Sequence, residues 1–329
     1  MTVRRRDVLA ALGGAAAWQP WAARAQKPPP HIGFLAGDAS ASINGAYQIR
    51  TIKQGLSDAG LAEGRDYVFE PRFAEGNADR LVALAGDLAK SGVRLIIANS
   101  VAAVRAAQHL DPPIAVVMGA VDDPVGNHLV ASLDKPGGHT TGLGSGSDEF
   151  LAQMLELEHV ALPKATSVAV LFNPAAPPMS SFVALLRMNA NPLRLSVEPV
   201  GFASRDELEA AFAGMAAKPP DMIHVMVNSG TADFVDRIAA LSLMHRIPAF
   251  ANAPEFATFG GLVGYGPSRE QLYRRVGTFV KKILDGSDPA SLPVEQPWRS
   301  ELWINQRTAN VLGVSLPASL VTAADKVLK

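Results

Sequence analysis

The seven histidines, at positions 31, 109, 128, 139, 159, 224 and 245, are the side chains best suited to move a proton or hold a metal near neutral pH. None stands at ligand spacing from another, no HExxH or HxH pair occurs, and the chain has no cysteine. No metal site is therefore expected. The stretch GLGSGS falls short of GxGxxG, and its Gly-Ser-Gly does not complete GxSxG. It reads as a flexible bend. SDEF and RDELE place acids at helix starts, where the positive end of the helix dipole favours them. Without a P-loop either, nothing in the chain demands an enzyme or a cofactor, and none is expected.

A second set of polar residues is more informative, because each follows a short apolar run that reads as a strand. These are Asp38, Asn99-Ser100, Asp122-Asp123, Asn173, Asn228-Ser229 and the segment 252–255 with Glu255. In open α/β sheets, ligands bind beyond the carboxyl ends of the strands. Several of these residues also precede helices, whose free N–H groups and dipole favour a carboxylate. One such residue alone is equally well a structural N-cap. Their convergence on one face points to ligand binding, with Asn99-Ser100 or Asn228-Ser229 holding a carboxylate.

The elements that carry these residues alternate regularly. HIGFLAG, YVFEPRFAEG, VRLIIANS and PIAVVMGA read as strands, separated by helical periods over 47–59, 78–90 and VAAVRAAQHL. The pattern pauses at GGHTTGLGSGS and restarts with a helix over 148–161. TSVAVLFNP, LRLSVEPVG, DMIHVMVNSG and IPAFAN follow as strands, again with helices between them. Ser204 and Glu207 form a capping box at the start of one of these helices. Two α/β lobes with parallel sheets and right-handed crossovers are expected. The ending, GGLVGYG, a helix over 269–284 and SELWINQRTANVLG, must serve both lobes. The expected division is residues 31–143 plus 266–299 for lobe 1, and 144–265 plus 300–329 for lobe 2. Several passages of the chain between the lobes make a hinge.

MTVRRRDVLAALGGAAAW opens the sequence with three arginines and an apolar run that has no polar face. The run is too short for a bilayer, which needs about 20 apolar residues. A basic n-region, a short h-region and AARAQ, with Ala23 and Ala25 at the small-residue positions, form an export signal over residues 1–25. Residues 26–30 are then a linker. Arg5-Arg6-Asp7-Val8-Leu9 resembles the twin-arginine signal; a general secretory signal with an arginine-rich start is the alternative route. Without cysteine, no lipid anchor or disulfide forms, and the mature protein is expected free in the periplasm. Cleavage removes four of the 30 basic and one of the 31 acidic side chains, leaving a formal charge of −4 against −1 for the whole chain. That balance offers no footprint for nucleic acid.

DDPVGNHLVASLDKPGGHTTGL, RIPAFANAPEFATFGGLVGYG, YRRVGTFVKKILDGSDPASLPVEQP and ELWINQRTANVLGVSLPASL together resemble the substrate-binding proteins of the tryptophan/tyrosine-type ABC transporter family. FAEGNADRL and VLFNP match as well, so the resemblance runs along nearly the whole chain. It implies a type I periplasmic-binding fold, two Rossmann-like lobes joined by a three-crossover hinge, with a ligand in the cleft. Asp123 stands at the family's aspartate in the DPV segment, Tyr265 at the tyrosine of its SYG bend and Glu255 at the glutamate of its EF segment. Asp123 would then meet a ligand's amino group.

The chain departs from the pattern at His139, at Gly264 and in VNSGTADF. Family membership does not transmit the ligand's identity. The implied role is a monomeric solute receptor serving an ABC permease and ATPase, and touching the membrane only through the permease. A periplasmic ligand sensor and an exported enzyme are the alternatives.

Two outcomes test the leader. Mass spectrometry of periplasmic material should find a mature chain beginning at Gln26, whereas a product retaining Arg4 to Arg6 refutes the signal. Arg5→Lys combined with Arg6→Lys should block export by the twin-arginine route, and normal export of that double variant assigns the general pathway instead.

Overall fold

The computed structural model describes residues 28–174, 179–228, 230–297 and 299–329. The leader, with its paired arginines, and Ser229 lie outside the described residues.

The first lobe is a five-stranded sheet of β1 (His31–Ala36), β2 (Val68–Phe73), β3 (Leu95–Ala98), β4 (Ala115–Val121) and β5 (Thr140–Gly144). All pairs are parallel, in the order β2-β1-β3-β4-β5. The inner strand β3 is apolar and buried along its whole length because helices cover both faces, whereas the edge strand β2 carries Glu70 and Arg72 and is mostly half-buried. Successive residues point to opposite faces, so Ile32, Phe34 and Ala36 pack with α1 (Ile43–Asp58) while Leu35 packs with α2 (Arg80–Lys90) and α3 (Val101–Gln108).

The second lobe carries α4 (Ser147–Ala161), β6 (Ser167–Phe172), α5 (Met179–Ala190), β7 (Ser196–Gly201), α6 (Arg205–Ala217), β8 (Met222–Val225), α7 (Val235–Met244), β9 (Ala249–Ala251) and β10 (Val263–Pro267). The chain then returns to the first lobe as α8 (Arg269–Leu284), which lies beside α1. It comes back once more as β11 (Ser300–Asn305), α9 (Gln306–Leu312), α10 (Ala318–Ala323) and β12 (Lys326–Leu328). The second sheet runs β12-β11-β10-β9-β8-β6-β7. The chain thus passes between the sheets after β5, after β10 and before β11.

Sequence and structure differ in a few places. GLGSGS begins in a strand, not in a free bend: Thr140–Gly144 pairs with β4. Its Gly142 has φ 126°, and a Cβ there would lie 2.4 Å from the Met118 backbone nitrogen, so glycine is needed to seat the strand. The β4–β5 register slips between Met118 and Val121, with Ala120 at φ 60°, a bulge that bends the end of β4. β11 runs antiparallel to β10, so the second sheet is not wholly parallel as expected; the chain reaches β11 by a long return from α8, which leaves its direction free. β12 and α10 carry too little periodicity to be read from sequence. Helix α6 begins as expected, with Ser204 accepting from the Glu207 N–H at 3.2 Å. The Glu207 carboxylate reaches back to the Ala203 N–H at 2.7 Å.

Helices α1 and α8 meet backbone to backbone. A Cβ on Gly55 would sit 2.0 Å from the Arg274 carbonyl oxygen, and one on Gly277 would sit 2.1 Å from the Gly55 carbonyl oxygen. Side chains at either point would push the helices apart. Gly277→Ala should therefore destabilise the protein by about 1–3 kcal/mol through overpacking, despite alanine's better helix propensity. Gly86, in α2, has nothing within 4 Å of its would-be Cβ. Gly86→Ala should raise stability by up to about 1 kcal/mol. Urea midpoints of the two variants should move in opposite directions; equal shifts would refute the close packing.

Candidate functional site

A cavity of about 720 Å³ lies between the lobes. It is built from the ends of strands: Asp38 after β1, Asn99 and Ser100 after β3, Ala120 and Asp122 at β4, Asn173 after β6, Asn228 after β8, Asn252 after β9 and Pro267 closing β10. Six of the residues singled out from sequence line it, namely Asp38, Asn99, Ser100, Asp122, Asn173 and Asn228. Asp123, Glu255 and Tyr265 are not among its lining residues.

On the first lobe the cavity wall is a buried polar cluster around Asp38, which is 1 % exposed. Its Oδ2 accepts from Gln48 Nε2 at 2.8 Å and from Asn99 Nδ2 at 2.6 Å, while Asn99 Nδ2 also donates to Gln48 Oε1 at 2.8 Å. Its Oδ1 is buried and makes no hydrogen bond. Burial pushes the Asp38 carboxyl above the ordinary aspartate range, with Asp233 adding to the effect. Gln48, Arg269 and Asn99 oppose that rise. Asn99 is thus spent on positioning Asp38. Ser100 caps α3, accepting from the Ala103 N–H at 3.2 Å.

On the second lobe, Asn173 Nδ2 donates to the Gly230 carbonyl at 3.1 Å, and Asn252 Oδ1 accepts from the Val227 N–H at 2.7 Å. The Asn228 N–H donates to Thr231 Oγ1 at 3.0 Å, and its own Oδ1 accepts from the Gly230 N–H at 2.8 Å. This turn leads into a 3-10 segment, Ala232–Phe234, and not directly into an α-helix. Asp233 in that segment accepts from the Ala39 N–H of the other lobe at 3.1 Å, while its Oδ1 is buried without a partner. Phe234, edge-on to Phe202 with centroids 5.4 Å apart, gives the wall an apolar patch.

The start of α8 supplies Arg269 and Tyr273, which sequence reasoning missed. Arg269 donates to Tyr273 Oη at 3.0 Å. Burial works against its charge, but Tyr273, Glu255 and Asp38 beside it outweigh burial and hold the guanidinium protonated. Burial pushes the Tyr273 hydroxyl up as well. A signal existed: an arginine in the first turn of a helix runs against the dipole and needs a reason, which the surrounding acids provide. Asp233 was hidden in TADF, where an acid reads as an ordinary helix start.

The three remaining residues have structural partners. Asp123 Oδ1 accepts from the Gly126 N–H at 2.8 Å and closes its own turn, with φ 34°. Glu255 Oε1 accepts from the Arg269 N–H at 3.0 Å, tying the turn after β9 to the N-terminus of α8, and burial raises its carboxyl. Tyr265 Oη donates to Gln153 Oε1 at 2.8 Å. His224, isolated in sequence, is a core residue of the second lobe, with Nδ1 2.6 Å from Glu158 Oε1 and both side chains fully buried. No group of three or more metal-ligating side chains occurs among the described residues. No helix among them is long and apolar enough to cross a membrane.

Comparison with known proteins agrees with this architecture. The "Tyrosine-binding protein" of Clostridioides difficile (strain R20291) is 26 % identical over 259 residues, 78 % of this chain and 74 % of that one. A solved ABC domain from Streptococcus pneumoniae in complex with L-Trp superposes with a TM-score of 0.78 at 23 % identity, covering 90 % of this chain and all of its own. A conserved domain protein from Vibrio cholerae O1 biovar El Tor gives 0.79 at 24 % identity, over 92 % of this chain and all of its own. The family model for the ABC transporter substrate binding protein matches residues 39–328. With two strand-end walls facing one cavity and that match spanning both lobes, the chain belongs to the ABC transporter substrate binding protein family.

Proposed function

We propose that this protein is a periplasmic solute receptor that closes its lobes over a small molecule, an amino acid or a related carboxylate, and delivers it to an ABC importer. The observation that carries the reading is the inter-lobe cavity of about 720 Å³, whose walls come from both lobes across three chain crossings. Such wiring lets the lobes rotate as units while the strand ends stay fixed within each. The relatives that bind tyrosine and L-Trp support an amino-acid ligand, and Arg269 offers a guanidinium suited to a carboxylate. The receptor works as a monomer, free of the membrane until it docks on the permease, whose partner ATPase drives uptake.

A thermal-shift screen of amino acids, including tyrosine and tryptophan, should find compounds that raise Tm. At a hundredfold excess over Kd the linkage is worth about 2.7 kcal/mol. Scattering on the saturated protein should then show a smaller radius of gyration. Proven binding with an unchanged scattering curve would count against hinged closure.

A further inference from the structure

We propose that the cleft selects its ligand by a cationic nitrogen clamped between Asp38 of the first lobe and Asp233 of the second, so that primary amines bind with or without a carboxylate. This rests on the receptor reading above.

Each of the two carboxylates keeps one oxygen in hydrogen bonds and buries the other without a partner. They are neighbours across the cleft: Asp233 accepts from the N–H of Ala39, the residue that follows Asp38. Buried acceptors without donors are costly, and like charges in one site disfavour each other's ionisation. An ammonium placed between them relieves both costs, because its three N–H donors can serve both oxygens.

The rest of the lining points the same way. Its charged side chains among the described residues are Asp38, Glu75, Asp122, Asp233 and Arg269, an excess of acid over base. Glu75 accepts from the Ser40 N–H, Ser145 donates to Asp122, and Arg269 is engaged with Tyr273 and placed beside Glu255 and Asp38 without a hydrogen bond to the free Asp38 oxygen. A carboxylate on the ligand therefore meets a guanidinium already shared, whereas a cation meets two free oxygens. Clamping also couples recognition to closure, since the two oxygens belong to different lobes.

The groups facing Asp38 are Gln48 from α1, Asn99 after β3, Asp233 from the second lobe, and Arg269 and Tyr273 from α8. With the Asp38 carboxyl raised, acidification neutralises it earlier than an ordinary aspartate, and amine affinity falls as it does.

Calorimetry on two matched series tests the clamp: L-tryptophan, tryptamine and indole-3-propionate; L-leucine, isopentylamine and 4-methylpentanoate. In at least one series the amino acid and the amine should bind, with the acid weaker by about tenfold or more. Asp233→Asn, which keeps an acceptor for the Ala39 N–H, should weaken amine binding about tenfold or more and leave any acid binding unchanged. Asp38→Asn should do the same; if it fails to fold, Asp233→Asn decides alone. An acid that binds as tightly as its matched amine overturns the clamp and leaves the receptor reading standing. Unchanged amine affinity in Asp233→Asn also overturns it. Silence from every compound overturns the clamp, and the receptor reading falls with it only if sugars, nucleosides and dicarboxylates are silent too.

Discussion

The close crossing of α1 and α8 at Gly55 and Gly277 is the constraint on which the cleft depends. With no Cβ at either point, the two helix backbones touch, and every residue at helical spacing from the contact is fixed in turn. Gln48 lies seven residues before Gly55, and Tyr273 and Arg269 lie four and eight before Gly277. These intervals of one and two turns put all three near one end of the helix pair. That end is where Asp38 leaves β1. The helix contributed by the chain's return from the second lobe thereby becomes part of the first lobe's binding wall.

Around Asp38 the structure holds a carboxylate at 1 % exposure. Such burial is tolerated because two side-chain amides serve one oxygen. Gln48 and Asn99 also bond each other, so neither can rotate away without leaving a buried group unpaired. Rigidity here is bought with polar residues that never need to touch a ligand. On the opposite lobe Asn173, Asn228, Thr231 and Asn252 do comparable work, locking the turns that present Asp233 and Phe234.

The connections between lobes are short and specific. The Glu255 carboxylate sits on the N-terminus of α8, where the helix dipole favours a negative charge. Asp233 reaches the Ala39 N–H across the cleft. One contact belongs to a crossing segment and the other to the cavity wall, so the lobes are tied where the chain crosses and touch again at the site itself.

Much of this was legible locally. Alternating apolar runs and helical periods gave two α/β lobes, and strand-end polarity gave Asp38, Asn99, Ser100, Asp122, Asn173 and Asn228, all of which line the cavity. The capping of α6 by Ser204 could be read as well, because a cap depends only on residues three apart. What sequence alone could not decide was which polar residues spend their hydrogen bonds on the fold and which keep an oxygen for something else. Asn99 and Asp38 look alike at the end of a strand, yet one holds the other in place. Arg269, Tyr273 and Asp233 stand 195 or more residues from Asp38 in sequence. No local period links them to it; the crossing of α8 over α1 and the meeting of two lobes do. Periodicity fixes which face of an element is buried, but only tertiary packing sets which charges share a cavity.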